Sequence, residues 1–248
     1  MLDNRYKDLK DSNYKVFYLG LYGSQNYGLD TENSDVDCRA LLVPDYEDCL
    51  LGKKLPKNDT WTYNDGLMTV EHDFRKFFNL LKKGNLNALE LLYTQYWTCD
   101  PEYQAYVSYL RFMRDDVANN NLFSVVMCVH GVVDSLYYKK YLKNKPLTVK
   151  DVVTVKRMRL FLDMLDLTRN FRTSFYNYAT PEQLEEMKEY KQSSQTLEDV
   201  KHVFFREYTL YKDVYDRLDL NSFDKNCNYT VEEWLDRLCL EVLKKGEK

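Results

Sequence analysis

Hydrophobic and polar positions follow two regimes along the chain. In the first hundred residues, short apolar runs alternate with polar, turn-rich stretches. Residues 16–21 (Val-Phe-Tyr-Leu-Gly-Leu) form one such run, closed by Gly23, and predict a buried strand. Residues 23–34 are dense in Gly, Asn, Asp, Ser and Thr and predict a loop with room for a short helix. Residues 35–43 alternate, then turn apolar until Pro44 ends them, and predict a second strand. Residues 44–66 predict a long excursion, and 67–74 a third strand. Helical spacing covers 74–81, stopped by Gly84, and resumes over 87–97.

After residue 100, Gly and Pro become rare and the apolar positions take a helical period. Helices are predicted near 101–117, 122–143, 149–170, 181–190, 197–218 and 230–244. Asp100-Pro101 offers an N-cap followed by proline at the first helical position. The Thr180…Gln183 and Thr230…Glu233 pairs have capping-box spacing. The pattern predicts an α/β unit over 1–98, a mixed sheet with helices, followed by an all-helical unit over 99–248.

Composition narrows the function classes. With Lys plus Arg 35 against Asp plus Glu 39, the net charge of −4 argues against broad non-specific nucleic-acid binding, but leaves room for a local basic groove. No apolar run reaches membrane-spanning length, so no membrane partner is expected. Residues 1–15 lack the apolar stretch of a secretory signal. Cys38, Cys49, Cys99, Cys128, Cys227 and Cys239 are scattered, without a C-x-x-C pair, and read as reduced thiols of a cytoplasmic protein. The Asn-x-Thr triplets at Asn58 and Asn228 are then chance matches. The 22 Tyr and 12 Phe suit core packing first and base stacking second.

The candidate chemistry lies in residues 20–40. A Gly23-Ser24 pair follows a buried strand, a polar turn follows it, and Asp35-Val36-Asp37 opens the next strand. Strand alternation puts Asp35 and Asp37 on one face, about 7 Å apart, with Val36, Cys38, Ala40 and Leu42 on the core face. Two outward carboxylates so close repel each other, and a divalent cation relieves that cost. Hard oxygen ligands of this kind suit Mg²⁺, with Mn²⁺ as a substitute. Backbone N–H groups at Gly23 and the Ser24 hydroxyl suit a nucleoside triphosphate. A third carboxylate on the neighbouring strand completes a polymerase-type site. Glu71 and Asp73 share a face there. Glu71, deeper in the strand, is preferred for catalysis and metal binding beside Asp35 and Asp37, and Asp73 is placed for capping the next helix. Arg39 continues the aspartate face, as a phosphate ligand or as an ion-pair partner.

The run Tyr22-Gly23-Ser24…Tyr27-Gly28-Leu29-Asp30-Thr31…Ser34-Asp35-Val36-Asp37-Cys38-Arg39 resembles the DNA polymerase β nucleotidyltransferase superfamily. It is most similar to the YcgL-like predicted nucleotidyltransferases of bacteria and phage. The likeness continues at Phe74-Arg75-Lys76-Phe77-Phe78 and over 83–92, and more loosely over 156–165 and 181–200. Where that group often has Lys-His, this chain has Lys156-Arg157. The resemblance implies a polymerase β-like fold and nucleotidyl transfer from an NTP to an acceptor hydroxyl. Asp35, Asp37 and Glu71 would be catalytic and metal-binding, with Gly23, Ser24 and Arg39 on the nucleotide.

The aromatic and basic content of the helical half favours an RNA 3′ end as acceptor. Rival readings are a non-catalytic, antitoxin-like binding module on the same fold, and a small-molecule or protein adenylyltransferase. In the helical half, Lys139, Lys140, Lys143 and Lys145 form one basic cluster, and Lys150, Lys156, Arg157, Arg159, Arg169 and Arg172 another. A solvated face is the first reading of both. Asn87 and Glu90 read as a capping pair for the helix after Gly84.

Overall fold

A computed structural model describes residues 2–32, 34–169, 178–223 and 229–247. Arg172, Cys227 and Asn228 lie outside the described residues. Five strands form one mixed sheet: β1 (Val16–Tyr22), β2 (Asp37–Leu42), β3 (Asp59–Tyr63), β4 (Gly66–Glu71) and β5 (Trp97–Thr98), in the order β3-β4-β2-β1-β5. β2 and β4 run parallel; the other pairs are antiparallel.

The three strands read from the pattern are β1, β2 and β4. The excursion over 44–66 also carries a short helix, α2 (Tyr46–Leu50), and β3. β3 (Asp-Thr-Trp-Thr-Tyr) is an edge strand with a half-exposed pattern, so it has no apolar run to announce it. Two-residue β5 is too short to show a period.

The sheet is covered on both faces. On one lies α1 (Leu2–Asp11), which the sequence pattern does not mark because only Arg5 and Leu9 of it are buried. Leu9 packs with Leu19, Leu21, Val36, Cys38, Ala40, Leu42, Met68 and Val70. This is the core face predicted for β2. Arg5 donates to the Cys38 sulfur and to Asp65 Oδ1 at 2.8 Å, so a buried guanidinium ties α1 to β2 and to the β3–β4 turn. The opposite face, which carries Asp37 and Arg39, is not simply solvated. Farther along it, Leu41 joins Phe17, Tyr18 and Phe74 in the larger core.

That larger core is shared with the helices. α3 (Arg75–Lys82) and α4 (Leu86–Tyr93) follow β4. Among the described residues after β5 there are helices and turns only: α5 (Gln104–Phe112), α6 (Arg114–Asn119), α7 (Leu122–Leu136), α8 (Val149–Thr168), α9 (Pro181–Gln192), α10 (Leu197–Arg217) and α11 (Tyr229–Lys245). The helix predicted over 122–143 ends as α7 at Leu136 and continues as a π-helical turn, Tyr137–Tyr141.

Capping follows the sequence in part. Thr180 and Gln183 make the predicted capping box. Thr148 with Asp151 and Thr196 with Asp199 make two more, with Asp in place of Glu or Gln. Asp100 does not cap. Its carboxylate instead accepts from Val16 N–H at 2.9 Å, Tyr6 at 2.6 Å and Lys10 at 2.7 Å, tying β1 to α1. Asn85, not Asn87, caps α4 by accepting from Ala88 N–H. α11 is described from Tyr229 on, and Thr230 lies within the helix.

Candidate active site

β1 runs directly into a short 3-10 turn, Gly23–Tyr27. Gly23 has φ +81°, a left-handed conformation that favours glycine. The buried Asn26 side chain donates to Leu21 C=O at 2.9 Å and folds the turn back on the strand. Leu29 N–H closes it onto Ser24 C=O at 3.1 Å. No side chain caps the start of the turn.

β2 begins beside this turn, with Asp37 paired to Tyr22. A Cβ on Gly23 would lie 3.7 Å from Asp37 Oδ2, so the glycine and the aspartate face each other across the strand ends. Asp37 Oδ1 accepts the Leu67 N–H at 3.2 Å. The segment ahead of β2 is clamped. Val36 N–H donates to Asp65 C=O at 2.6 Å, and a Cβ on Gly66 would sit 2.4 Å from Val36 O. Only glycine permits that approach. Asp35 is exposed just before the strand. A cleft of about 320 Å³ opens here, lined by Tyr22, Asp37, Cys38, Arg39, Leu67 and Thr69.

Glu71 is not beside the aspartates. In the parallel β2–β4 register, Leu41 faces Glu71 and Cys38 faces Met68. Glu71 therefore lies four residues beyond the level of Asp37, about 13 Å of strand rise. It shares the face but is 2 % exposed and ion-paired to Arg39 through Nε and Nη2. Of the two roles open to Arg39, the structure shows the ion pair, with Glu71 rather than with the aspartates. Asp73 lies past the end of β4. Its carboxylate accepts the Arg75 N–H at 3.1 Å and pairs with the Arg75 guanidinium at 2.7 Å, at the start of α3.

A second group of residues closes over the turn from the helical half. Arg157 of α8 is buried, its guanidinium 3.1 Å from the centre of the Tyr27 ring. It lies 3.6 Å from Glu90 of α4 and donates to the Tyr178 hydroxyl at 3.1 Å. Burial pushes the Glu90 carboxyl above the ordinary carboxylate range, and the nearby Arg157 charge opposes that shift. Lys191 of α9 donates to Leu29 C=O at 2.5 Å, reaching the end of the same turn. Burial and the neighbouring Lys150 lower its pKa. Lys156 is buried against Glu186 at 2.6 Å. The solvated face expected for Lys156 and Arg157 is thus a packed interface. Helical period alone did not reveal this, because a buried Arg and a surface Arg look alike in a sequence. The Glu90 of the expected capping pair is likewise buried in this interface.

The carboxylates bear on metal binding. Among the described residues no three His, Cys, Asp or Glu side chains are grouped to hold an ion. Asp37 lines the cleft, and Asp35 is exposed two residues earlier, just ahead of β2. That set fits Mg²⁺ or Mn²⁺, because Mg²⁺ is commonly held by one or two carboxylates together with waters and substrate phosphates.

Among the described residues no helix is long and apolar enough to cross a membrane. The chain has no significant match among the curated proteins. A family described as RlaP, RNA repair pathway DNA polymerase beta family, matches residues 4–218. That span includes the sheet, the Gly23–Tyr27 turn, the aspartates and the helical half through α10. The mixed sheet and the long match agree, and the chain belongs to this RNA-repair branch of the DNA polymerase β family.

Proposed function

We propose that this protein is a Mg²⁺-dependent nucleotidyltransferase that moves a nucleotidyl group from an NTP to an acceptor hydroxyl, an RNA 3′ end. The observation that carries the reading is the meeting of the Gly23-Ser24 turn with Asp37 across the ends of β1 and β2. Family membership and the likeness of residues 22–39 to the YcgL-like group support the same chemistry.

In this reading the turn receives the β and γ phosphates, with the Ser24 hydroxyl and backbone N–H groups as donors. Asp35 and Asp37 would hold the cation. A bound divalent cation would supply charge neutralisation at the phosphates and acidify the acceptor hydroxyl. The acceptor oxygen attacks the α-phosphorus in line and pyrophosphate leaves. Tyr22 and Arg39 form the wall of the cleft. Glu71 acts through Arg39, holding the guanidinium in place, rather than as a third ligand.

The test is transfer from labelled NTP to a single-stranded RNA with a free 3′ hydroxyl, in Mg²⁺. Asp35→Ala and Asp37→Ala should each lower the rate by more than about a hundredfold, the effect of losing several kcal/mol of charge stabilisation. Wild-type protein that neither transfers nor binds NTP in an Asp35-dependent way refutes the reading. One observation favours a rival: Glu71 is committed to Arg39, as suits a polymerase β-like scaffold that binds a partner without catalysis. A partner retained by the Asp35→Ala, Asp37→Ala double variant would support that rival.

A further inference from the structure

Away from the cleft, α7 and its π-helical extension pack against α10 through a column of near-parallel rings. Tyr208 stacks on Tyr137 at 3.9 Å and 2°. Tyr137 stacks on Tyr141 at 5.4 Å and 16°, and Tyr141 on Phe205 at 5.6 Å and 17°. Tyr137 and Tyr141 both belong to the π turn, in which Leu142 N–H reaches back five residues to Tyr137 C=O at 2.9 Å, and their rings lie near-parallel and laterally offset. Such turns recur at functional sites.

The column does not end inside the protein. Phe205 is 46 % exposed and Tyr138, in the same π turn, is 53 % exposed. Phe205 borders an open groove of about 450 Å³ together with Tyr141, Leu142, Asn144, Lys201 and His202. The loop that carries Leu142 and Asn144 also carries Lys143 and Lys145, both exposed. None of Lys143, Lys145 and Lys201 has an ion-pair partner among the described residues, whereas Lys140 is spent on Asp151 at 2.8 Å. Glu198 is the one acid lining the groove. The local balance is therefore basic in a chain whose net charge is −4.

We propose that this groove binds single-stranded RNA, with unpaired bases extending the ring column at Phe205 and Lys143, Lys145 and Lys201 contacting the phosphates. The proposal deepens the nucleotidyltransferase reading and rests on its choice of RNA as acceptor. Two features select this occupant. A half-exposed aromatic ring in the groove wall, held by its contact with Tyr141, offers a base a partner at little entropic cost, and every base has a π face to use. Paired bases in a duplex are already stacked and offer no such face, so a duplex is disfavoured. Flanking lysines supply the sequence-independent backbone attraction that the acidic whole does not.

The experiment measures fluorescence anisotropy of a labelled RNA single strand, about a dozen nucleotides long, with full-length protein, and in parallel NTP binding. Phe205→Ala should weaken RNA binding roughly tenfold, within the range for loss of one stacking ring. Phe205→Leu, which keeps the apolar bulk, should weaken it similarly. A combined Lys143→Ala, Lys145→Ala, Lys201→Ala variant should reduce the salt slope of binding by about 2. NTP binding should be unchanged in all three. Unchanged RNA affinity in folded Phe205 variants overturns the proposal, as does equal affinity for the duplex of the same sequence. A switch from dimer to monomer on Phe205→Ala, without an RNA effect, would make the groove a self-association surface and also overturns it. Phe205-dependent RNA binding without any nucleotidyl transfer would leave this groove standing and defeat the catalytic reading alone.

Discussion

Arg39 and Glu71 show how a buried ion pair redirects a site. Glu71 has the residue type, strand and face of a metal ligand, yet it is closed off from solvent and satisfied by a guanidinium. A carboxylate so placed is expensive to leave alone, because an unpaired buried charge loses its hydration without compensation. Arg39→Ala should therefore lower stability by about 3 kcal/mol, read by denaturant unfolding. Glu71→Gln separates the two roles open to this residue. A positioning residue predicts that the Mg²⁺ concentration for half-maximal transfer stays put while kcat falls modestly. A metal ligand predicts a large rise in that concentration. The position of Asp37 beside the Gly23 turn was legible in the sequence because a glycine turn after one strand and an aspartate opening the next leave a local mark, whereas β2 starts at Asp37 and leaves Asp35 ahead of the strand. The distance of Glu71 from Asp37 was not legible, because it depends on how β4 registers against β2, and no local pattern encodes an interstrand register.

The pairing of β1 with β2 brings Asp37 to the turn, and the β3–β4 hairpin has a part that the sequence hid. β3 is polar and marginal as a strand, but the turn it shares with β4 holds the segment before β2. Asp65 accepts the Val36 N–H through its backbone and binds Arg5 through its side chain. Gly66 lies against the Val36 backbone, with φ +151°. A methyl group there meets main chain rather than a movable side chain, so either Val36 or the hairpin must shift. Gly66→Ala should cost about 2 kcal/mol, as strain at a constrained glycine does. It should also lower transfer more than a core variant of equal instability, because the displaced backbone carries Asp35 and Asp37. Comparison with a destabilised variant such as Met68→Ala, matched by melting temperature, isolates that second effect. By contrast β1 and β2 were readable from apolar runs closed by Gly23 and Pro44, and β4 from its own run, since their middle residues are buried and leave a local signature.

At the scale of the whole molecule, the change of character near residue 100 marks a change of element type while the packing continues across it. Phe17 of β1 lies against Tyr103, with ring centres 6.2 Å apart, and against Phe74 and Phe78 at 5.1 and 5.8 Å. The same core includes Val107 of α5, Val125 of α7 and Val242 of α11. Arg111 of α5 donates to the Tyr18 hydroxyl and to the carbonyls of Leu92 and Thr94, binding the helices to β1 and the end of α4. Arg157 and Lys191 then seat the helical half on the very turn proposed to hold phosphate. A fragment ending at residue 98 would lose Tyr103, Val107, Val125 and Val242 from the core around Phe17 and Phe74 and uncover apolar surface there, at a cost of roughly 25 cal/mol per Å². Against a net stability of about 5–15 kcal/mol for a typical domain, a few hundred Å² of such surface is decisive. The fragment should therefore lack near-ultraviolet circular dichroism and a cooperative melt, while the full chain shows both. A cooperatively folding 1–98 fragment would mean that the sheet and its own helices suffice, and that the shared core is an interface between two independent units.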